Sequence, residues 1–184
     1  MEPPRPPPSP PVPRRRRLRR AAIAATCTAA MIVNSSNNTS VAIALPSIGA
    51  TLHARAAALQ WFSSAYPLSS GCLLLLCGHL ADAHGRKRAF VLGSAVLVAF
   101  SVGCGFVKDD VTLAVLRGLQ GVGGAATIPA ALGILAHTFP PSAPRARAAA
   151  FASFSAGAPV GGALGMILGG LVTQLSRCAH PRRT

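Results

Sequence analysis

Acidic residues are almost missing from this 184-residue chain: Glu2, Asp82, Asp109 and Asp110 are all it has. Only 12% of its residues are charged and 51% are hydrophobic, whereas soluble domains carry about 25% charge. That shortage excludes an ordinary soluble domain. Cysteine is present but unorganised. Cys27, Cys72, Cys77, Cys104 and Cys178 form no CxxC pair and no His/Cys cluster at metal spacing, so neither a disulfide, a metal site nor another cofactor is inferred. No residue is assigned a catalytic role, and the chain is read as something other than an enzyme.

Charge is also absent from long continuous stretches. Uncharged runs cover 21–54, 56–81, 89–107 and 148–176, and a fifth, 111–144, is interrupted only by Arg117. A membrane-crossing helix needs about 20 mostly apolar residues, so each run holds one. The expected helices lie near 22–46, 58–80, 89–107, 113–136 and 148–174, which makes the fold class an all-α polytopic membrane bundle. Between the second and third sits Gly78-His-Leu-Ala-Asp82-Ala-His-Gly85-Arg86-Lys87-Arg88. A glycine-flanked carboxylate followed by three cations does not belong in hydrocarbon, and it reads as a tight reversal at the cytoplasmic surface.

The net charge of +14 raises nucleic-acid binding, but the cations are not arranged for it. Seven of the eighteen fall in the first twenty residues, most others sit at helix ends, and no basic face alternates with aromatics. Membrane topology accounts for them better. With the N-terminus in the cytoplasm, twelve cations lie inside, among them Arg86, Lys87, Arg88, Arg145 and Arg147. Five lie outside: Arg55, Lys108, Arg177, Arg182 and Arg183. The bias favours N-inside.

Residues 1–13 hold eight prolines and form neither helix nor core. Together with the arginines up to residue 20 they are expected to be a disordered cytoplasmic extension, a passive tail rather than a ligand for an SH3-like partner. The Arg14–Arg20 cluster is positioned to touch anionic lipid. A cleaved signal peptide fails because the uncharged run continues past any cleavage site and four more hydrophobic segments follow. The sequons at Asn34, Asn37 and Asn38 fall inside the first span and are discounted.

Gly121-Val-Gly123-Gly-Ala-Ala126 matches a dinucleotide-binding fingerprint, yet nothing acidic follows Asp110 to hold a ribose. Its glycines, like Gly161, Gly165 and Gly169 at every fourth residue of the fifth span, suit close helix packing or sliding.

Four landmarks in order then resemble a known family. Asn37-Asn-Thr-Ser-Val-Ala-Ile-Ala-Leu-Pro46 ends the first span, and Trp61-Phe-Ser-Ser-Ala-Tyr66 leads into the Gly78–Arg88 turn. Arg117-Gly-Leu-Gln120-Gly121-Val-Gly123 lies on the fourth, and Gly161-Gly-Ala-Leu-Gly165-Met166-Ile-Leu-Gly169-Gly170 on the fifth. Over residues 25–176 the chain resembles the N-terminal part of a major facilitator superfamily transporter, of the fungal drug:proton antiporter type with fourteen spans. The resemblance implies that Gly78, Asp82, Gly85, Arg86, Lys87 and Arg88 form a cytoplasmic latch. It implies that Arg117 serves coupling or substrate response. A lone guanidinium at mid-helix is costly in lipid and no acidic residue lies within the spans, so its partner is backbone, Gln120, Asn34, Asn37, water or a group elsewhere in a larger protein. The small-residue positions Gly121, Gly123, Gly161, Gly165, Gly169 and Gly170 are expected to serve packing and gating.

Three positions depart from the pattern. Ala83 stands where the family usually has arginine, Asn37 where it has a carboxylate, and Met166 where it has proline. Asparagine does not titrate, so proton coupling through this half loses a natural carrier. The family needs repeated halves around a midplane site, and residues 177–184 leave its pattern as a basic tail, which reads as a truncation product. The expected function is export of small organic compounds by alternating access. Lipid and a small organic substrate are the partners, no nucleic acid is involved, and the location is the plasma or vacuolar membrane; coupling to protons through a carboxylate elsewhere, uniport and substrate-gradient transport all stay open. The rival is a non-transporting fragment, or a small membrane protein that binds a full-length transporter.

Overall fold

The computed structural model describes residues 14–52, 56–107 and 109–179, which form five helices: α1 (Arg14–Leu52), α2 (Ala56–His84), α3 (Arg86–Cys104), α4 (Asp110–Thr138) and α5 (Pro144–Ala179). Every expected span is a helix. The fold is an all-α membrane bundle, and four helices contain segments long and apolar enough to cross a bilayer: Ser63–His84, Arg86–Cys104, Val111–Thr138 and Pro144–Leu171. Among the described residues α1 does not reach that hydropathy, because arginines precede its apolar stretch and the polar run Asn34–Ser40 follows it.

Helix ends follow from local chemistry. Pro144 opens α5, where a missing N–H leaves no bond unmade. At the other end of the same loop, Phe139 leaves the helical region (φ −114°, ψ 94°) while its N–H still donates to the Leu135 carbonyl at 3.0 Å. Pro140 follows directly and disfavours helical backbone in the residue before it.

Two expected boundaries are corrected. Arg14–Arg20 do not belong to a disordered extension; they are the first two turns of α1. The prolines stop at Pro13, and arginine, leucine and alanine are good helix formers. The 39 residues of α1 span roughly 58 Å, well beyond a hydrocarbon core of about 30 Å, so the arginine turns stand clear of it. Likewise α5, expected to end near residue 174, continues through Ala179. The polyproline reading of 1–13, the outer cations Arg55 and Lys108, and the tail from 180 onward lie outside the described residues.

Glycine spacing decides how the helices pair. Gly157, Gly161, Gly165 and Gly169 of α5 face Thr28, Ile32, Ser36 and Ser40 of α1, so both helices advance four residues at a time in the same direction. Gly123 of α4 lies on Gly93 and Leu97 of α3, while Gly103 faces Leu116, so α3 and α4 run antiparallel. Tyr66 of α2 faces Gly121 and Gly124, and Gly78 faces Pro129, so α2 and α4 run parallel. Thus α4 is packed from both sides, α1 pairs chiefly with α5, and Arg14–Arg20, Arg86–Arg88 and Arg145–Arg147 share one end of the bundle.

Near that end Cys27, Ala131, Leu135, Phe139, Ala150 and Phe154 form a buried cluster joining α1, α4 and α5. Elsewhere large apolar side chains point outward, with Leu75 85% exposed. In water such a surface is a liability; in lipid it is solvated.

Candidate functional site

The largest fully buried side chains are Arg117, Leu135 and Gln120, so two of the three are polar. A guanidinium within a membrane span costs on the order of 3 kcal/mol to insert and is retained where it has partners. Arg117 is 2% exposed, and its Nη1 donates to Gln120 Oε1 at 2.8 Å, a reach that the i, i+3 spacing on α4 allows. Its other support is aromatic: the guanidinium carbon lies 5.8 Å from the centroid of the Tyr66 ring. The Tyr66 hydroxyl in turn donates to Asn34 Oδ1 at 2.6 Å. Gly121 and Gly124 make this possible, because a side chain at either would overlap α2 at Tyr66. Ser69, one turn along α2, donates to the Gly118 carbonyl at 2.7 Å and fixes the register beside Arg117.

Of the residues singled out in the sequence, Arg117, Gln120 and Asn34 are therefore brought together and Asn37 is set apart. Asn37 Oδ1 accepts from Ser101 on α3 at 3.1 Å. Tyr66 links α1, α2 and α4 but was not assigned a site role by sequence reasoning. Its signal was available: it is the chain's only tyrosine, set within an apolar span. The network leaves donors over. Asn34 Nδ2, Asn37 Nδ2 and Arg117 Nε are buried without partners, and all three offer protons to an acceptor, either water or a ligand oxygen. Arginine stays charged, so Arg117 supplies fixed positive charge rather than a transferable proton.

The turn between α2 and α3 is a single residue, Gly85, at φ 101°, a conformation that favours glycine. Asp82 makes no cap to α3; it pairs one turn on with Arg86, Oδ1 to Nε 2.7 Å. Arg86 Nη1 also donates to the Gly133 carbonyl of α4 at 2.8 Å, and a side chain at Gly133 would collide with it. One arginine thus ties the turn to α4, while Lys87 and Arg88 stand exposed. Beside it a cleft of about 470 Å³ is lined by Asp82, Gly85, Arg86, Ile134, His137 and Thr138.

The glycines divide. Gly121, Gly123, Gly161, Gly165 and Gly169 sit where a Cβ would strike a neighbouring helix. A Cβ at Gly170 would meet nothing within 4 Å among the described residues, so packing does not require glycine there. At Gly78 a Cβ would rest 3.6 Å from Pro129, an ordinary contact, so close approach does not require glycine there. Gly157 extends the α5 stripe by a further turn. Among the described residues no group of three or more His, Cys, Asp or Glu is placed to hold a metal.

A buried charged network inside a bundle of apolar helices joined by glycine seams is the architecture of an integral membrane protein. The family profile of the Major Facilitator Superfamily matches residues 25–177, and the chain belongs to that family. Relatives include the "Uncharacterized MFS-type transporter EfpA" of Mycobacterium tuberculosis (strain ATCC 25618 / H37Rv), 40% identical over 140 residues, covering 76% of this chain and 26% of the relative. The "Puromycin resistance protein pur8" of Streptomyces alboniger is 41% identical over 138 residues, covering 75% of this chain and 27% of its own. The "Drug efflux pump JefA" of the same Mycobacterium tuberculosis strain is 36% identical over 134 residues, with 73% and 26% covered. The chain spans about a quarter of the length of these curated relatives.

Proposed function

We propose that these five helices are the N-terminal membrane segment of an exporter of small organic compounds that works by alternating access. The observation that carries this reading is the Arg117–Gln120–Tyr66–Asn34 network. It holds a costly buried charge between three helices and leaves donors unpartnered, as a transport cavity needs and a passive membrane anchor does not. The named relatives, whose titles include puromycin resistance and drug efflux, support the substrate class.

The finer assignment is the fourteen-span drug:proton antiporter type. It rests on the four ordered motifs, which resemble fungal members of that type; the relatives named above are from actinomycetes. Asp82, Asp109 and Asp110 fall at helix ends, and Glu2 precedes α1. A carboxylate acting as proton carrier at mid-membrane therefore belongs to a part of the transporter outside these helices. The excess of cations at the end shared by the N-terminus and the α2–α3 turn supports a cytoplasmic position for both, in a plasma or vacuolar membrane, with Asp82–Arg86 as the part of the latch that this segment supplies.

The test is drug accumulation in an efflux-deficient host expressing the complete transporter that carries this segment. Lower accumulation that Arg117→Ala reverses, at undiminished protein level, is the expected result. Equal accumulation with and without the transporter would favour a non-transporting membrane protein.

A further inference from the structure

At the end of the bundle where α1 and α5 begin, the two helices enclose an open groove of about 840 Å³. Eight of its fourteen lining residues are alanine, including Ala25 and Ala29 of α1 and Ala146 and Ala149 of α5, with Ile32 and Phe139 adding apolar surface, Thr28 and Ser153 a hydroxyl each, and Arg17 and Arg20 at the mouth. The lining follows one face of α1 from Arg17 to Ile32. That distance is roughly 22 Å of helix, about half of a bilayer of 40–45 Å counted with its headgroups. The groove is thus one leaflet long, cationic at the surface and apolar below it.

Charge narrows the occupant. Neither α1 nor α5 contains a single carboxylate, while Arg14, Arg15, Arg16, Arg19, Arg145 and Arg147 crowd the same end. Arg147 is stacked on Phe151, 5.7 Å from its centroid, and so is turned toward its own helix. Arg17 and Arg20, three residues apart on one face, have no carboxylate to pair with on the helices that form the groove. A small soluble anion would satisfy them but leave the alanine walls wet. A zwitterionic lipid would fill the walls and bring a cation to the arginines.

We propose that this groove is a binding site for one anionic phospholipid, with an acyl chain along the alanine walls and the headgroup phosphate on Arg17 and Arg20. Basic pockets between membrane helices on the positive side favour such headgroups. The proposal requires the membrane location and is independent of whether the chain takes part in export.

The experiment is native mass spectrometry of the purified 184-residue chain after exchange with phosphatidylglycerol or phosphatidylcholine of identical acyl chains. One phosphatidylglycerol should be retained in preference to phosphatidylcholine, and millimolar inorganic phosphate should not displace it. Arg17→Gln with Arg20→Gln should lower retention by roughly fivefold for each arginine removed. These residues lie in the first turns of α1 outside the packed cluster, so the variant keeps its fold. Arg15→Gln with Arg16→Gln should keep the preference, and Ala29→Trp, which fills the groove, should lose the lipid. Equal losses from both arginine pairs would reduce the effect to a diffuse basic cluster and overturn the site. Displacement by phosphate would assign the arginines to a soluble anion. An Ala29→Trp chain that retains lipid but changes oligomeric state would give the groove to a second copy.

Discussion

Tyr66 donates its hydroxyl proton to Asn34 at 2.6 Å inside the bundle, and the face of the same ring carries the Arg117 guanidinium. One side chain thereby couples α1 to α4 through α2. Without it Asn34 would have both ends of its amide unpartnered, since Nδ2 is already without an acceptor.

Tyr66→Phe removes the hydrogen bond and keeps the ring beneath Arg117. The expected loss is about 0.6–1.7 kcal/mol, the range for interhelical hydrogen bonds in membranes. A double-mutant cycle with Asn34→Ala in a reversible unfolding assay measures it. Additive effects of the two single changes would show that the bond contributes nothing.

Arg117→Ala in the complete transporter should abolish or uncouple export while protein abundance stays near wild type. The substitution removes an insertion cost of roughly 3 kcal/mol, so the membrane tolerates it better than the arginine. Transport rate and quantitative immunoblotting, read together, separate the two effects. Unchanged export kinetics would leave Arg117 with structure alone.

Gly165→Ala and Gly170→Ala should behave oppositely. A Cβ at Gly165 would meet Thr39 Cβ at 2.9 Å and the Ser36 backbone, whereas at Gly170 nothing lies within 4 Å. Overpacking of this kind costs about 1–3 kcal/mol, which should appear as lower thermal stability and weaker crosslinking between cysteines placed on α1 and α5. Gly170→Ala should match wild type in both measurements.

Asp82→Asn should have little effect on stability and a larger one on cycling. The ion pair with Arg86 is exposed, with side chains 61% and 39% accessible, and such pairs contribute about 0–1 kcal/mol. Transport by the complete protein should slow even so, because the carboxylate orients the arginine that reaches the Gly133 carbonyl. Wild-type transport rates in Asp82→Asn would remove Asp82 from the latch.

A reporter fused at the N-terminus or at residue 86 should be cytoplasmic, and one at residue 109 should lie outside. The arginine-rich ends of α1, α3 and α5 share one end of the bundle, so they change sides together. Finding residue 86 outside would reverse the topology and remove the latch with it.

The sequence by itself determined the spans, because hydrocarbon forces each backbone to satisfy its own hydrogen bonds and uncharged runs of sufficient length have no alternative but helix. It marked Arg117 for the same reason: the cost of a lone charge in lipid is a local property of one residue. The α5 stripe was legible as a packing face, and the Gly85 turn was legible as a reversal. Which helix met which face was not. The partner of Gly161 and Gly165 is α1 rather than a sequence neighbour, and α4 spends Gly121 on α2 but Gly123 on α3. Tertiary structure also separated residues that look alike in the chain. Arg86 alone of three consecutive cations reaches α4, and Asn34 alone of three nearby asparagines is hydrogen-bonded to Tyr66. Each of those choices depends on where a second helix passes within a few ångströms, and that distance is set by packing between segments far apart in the chain.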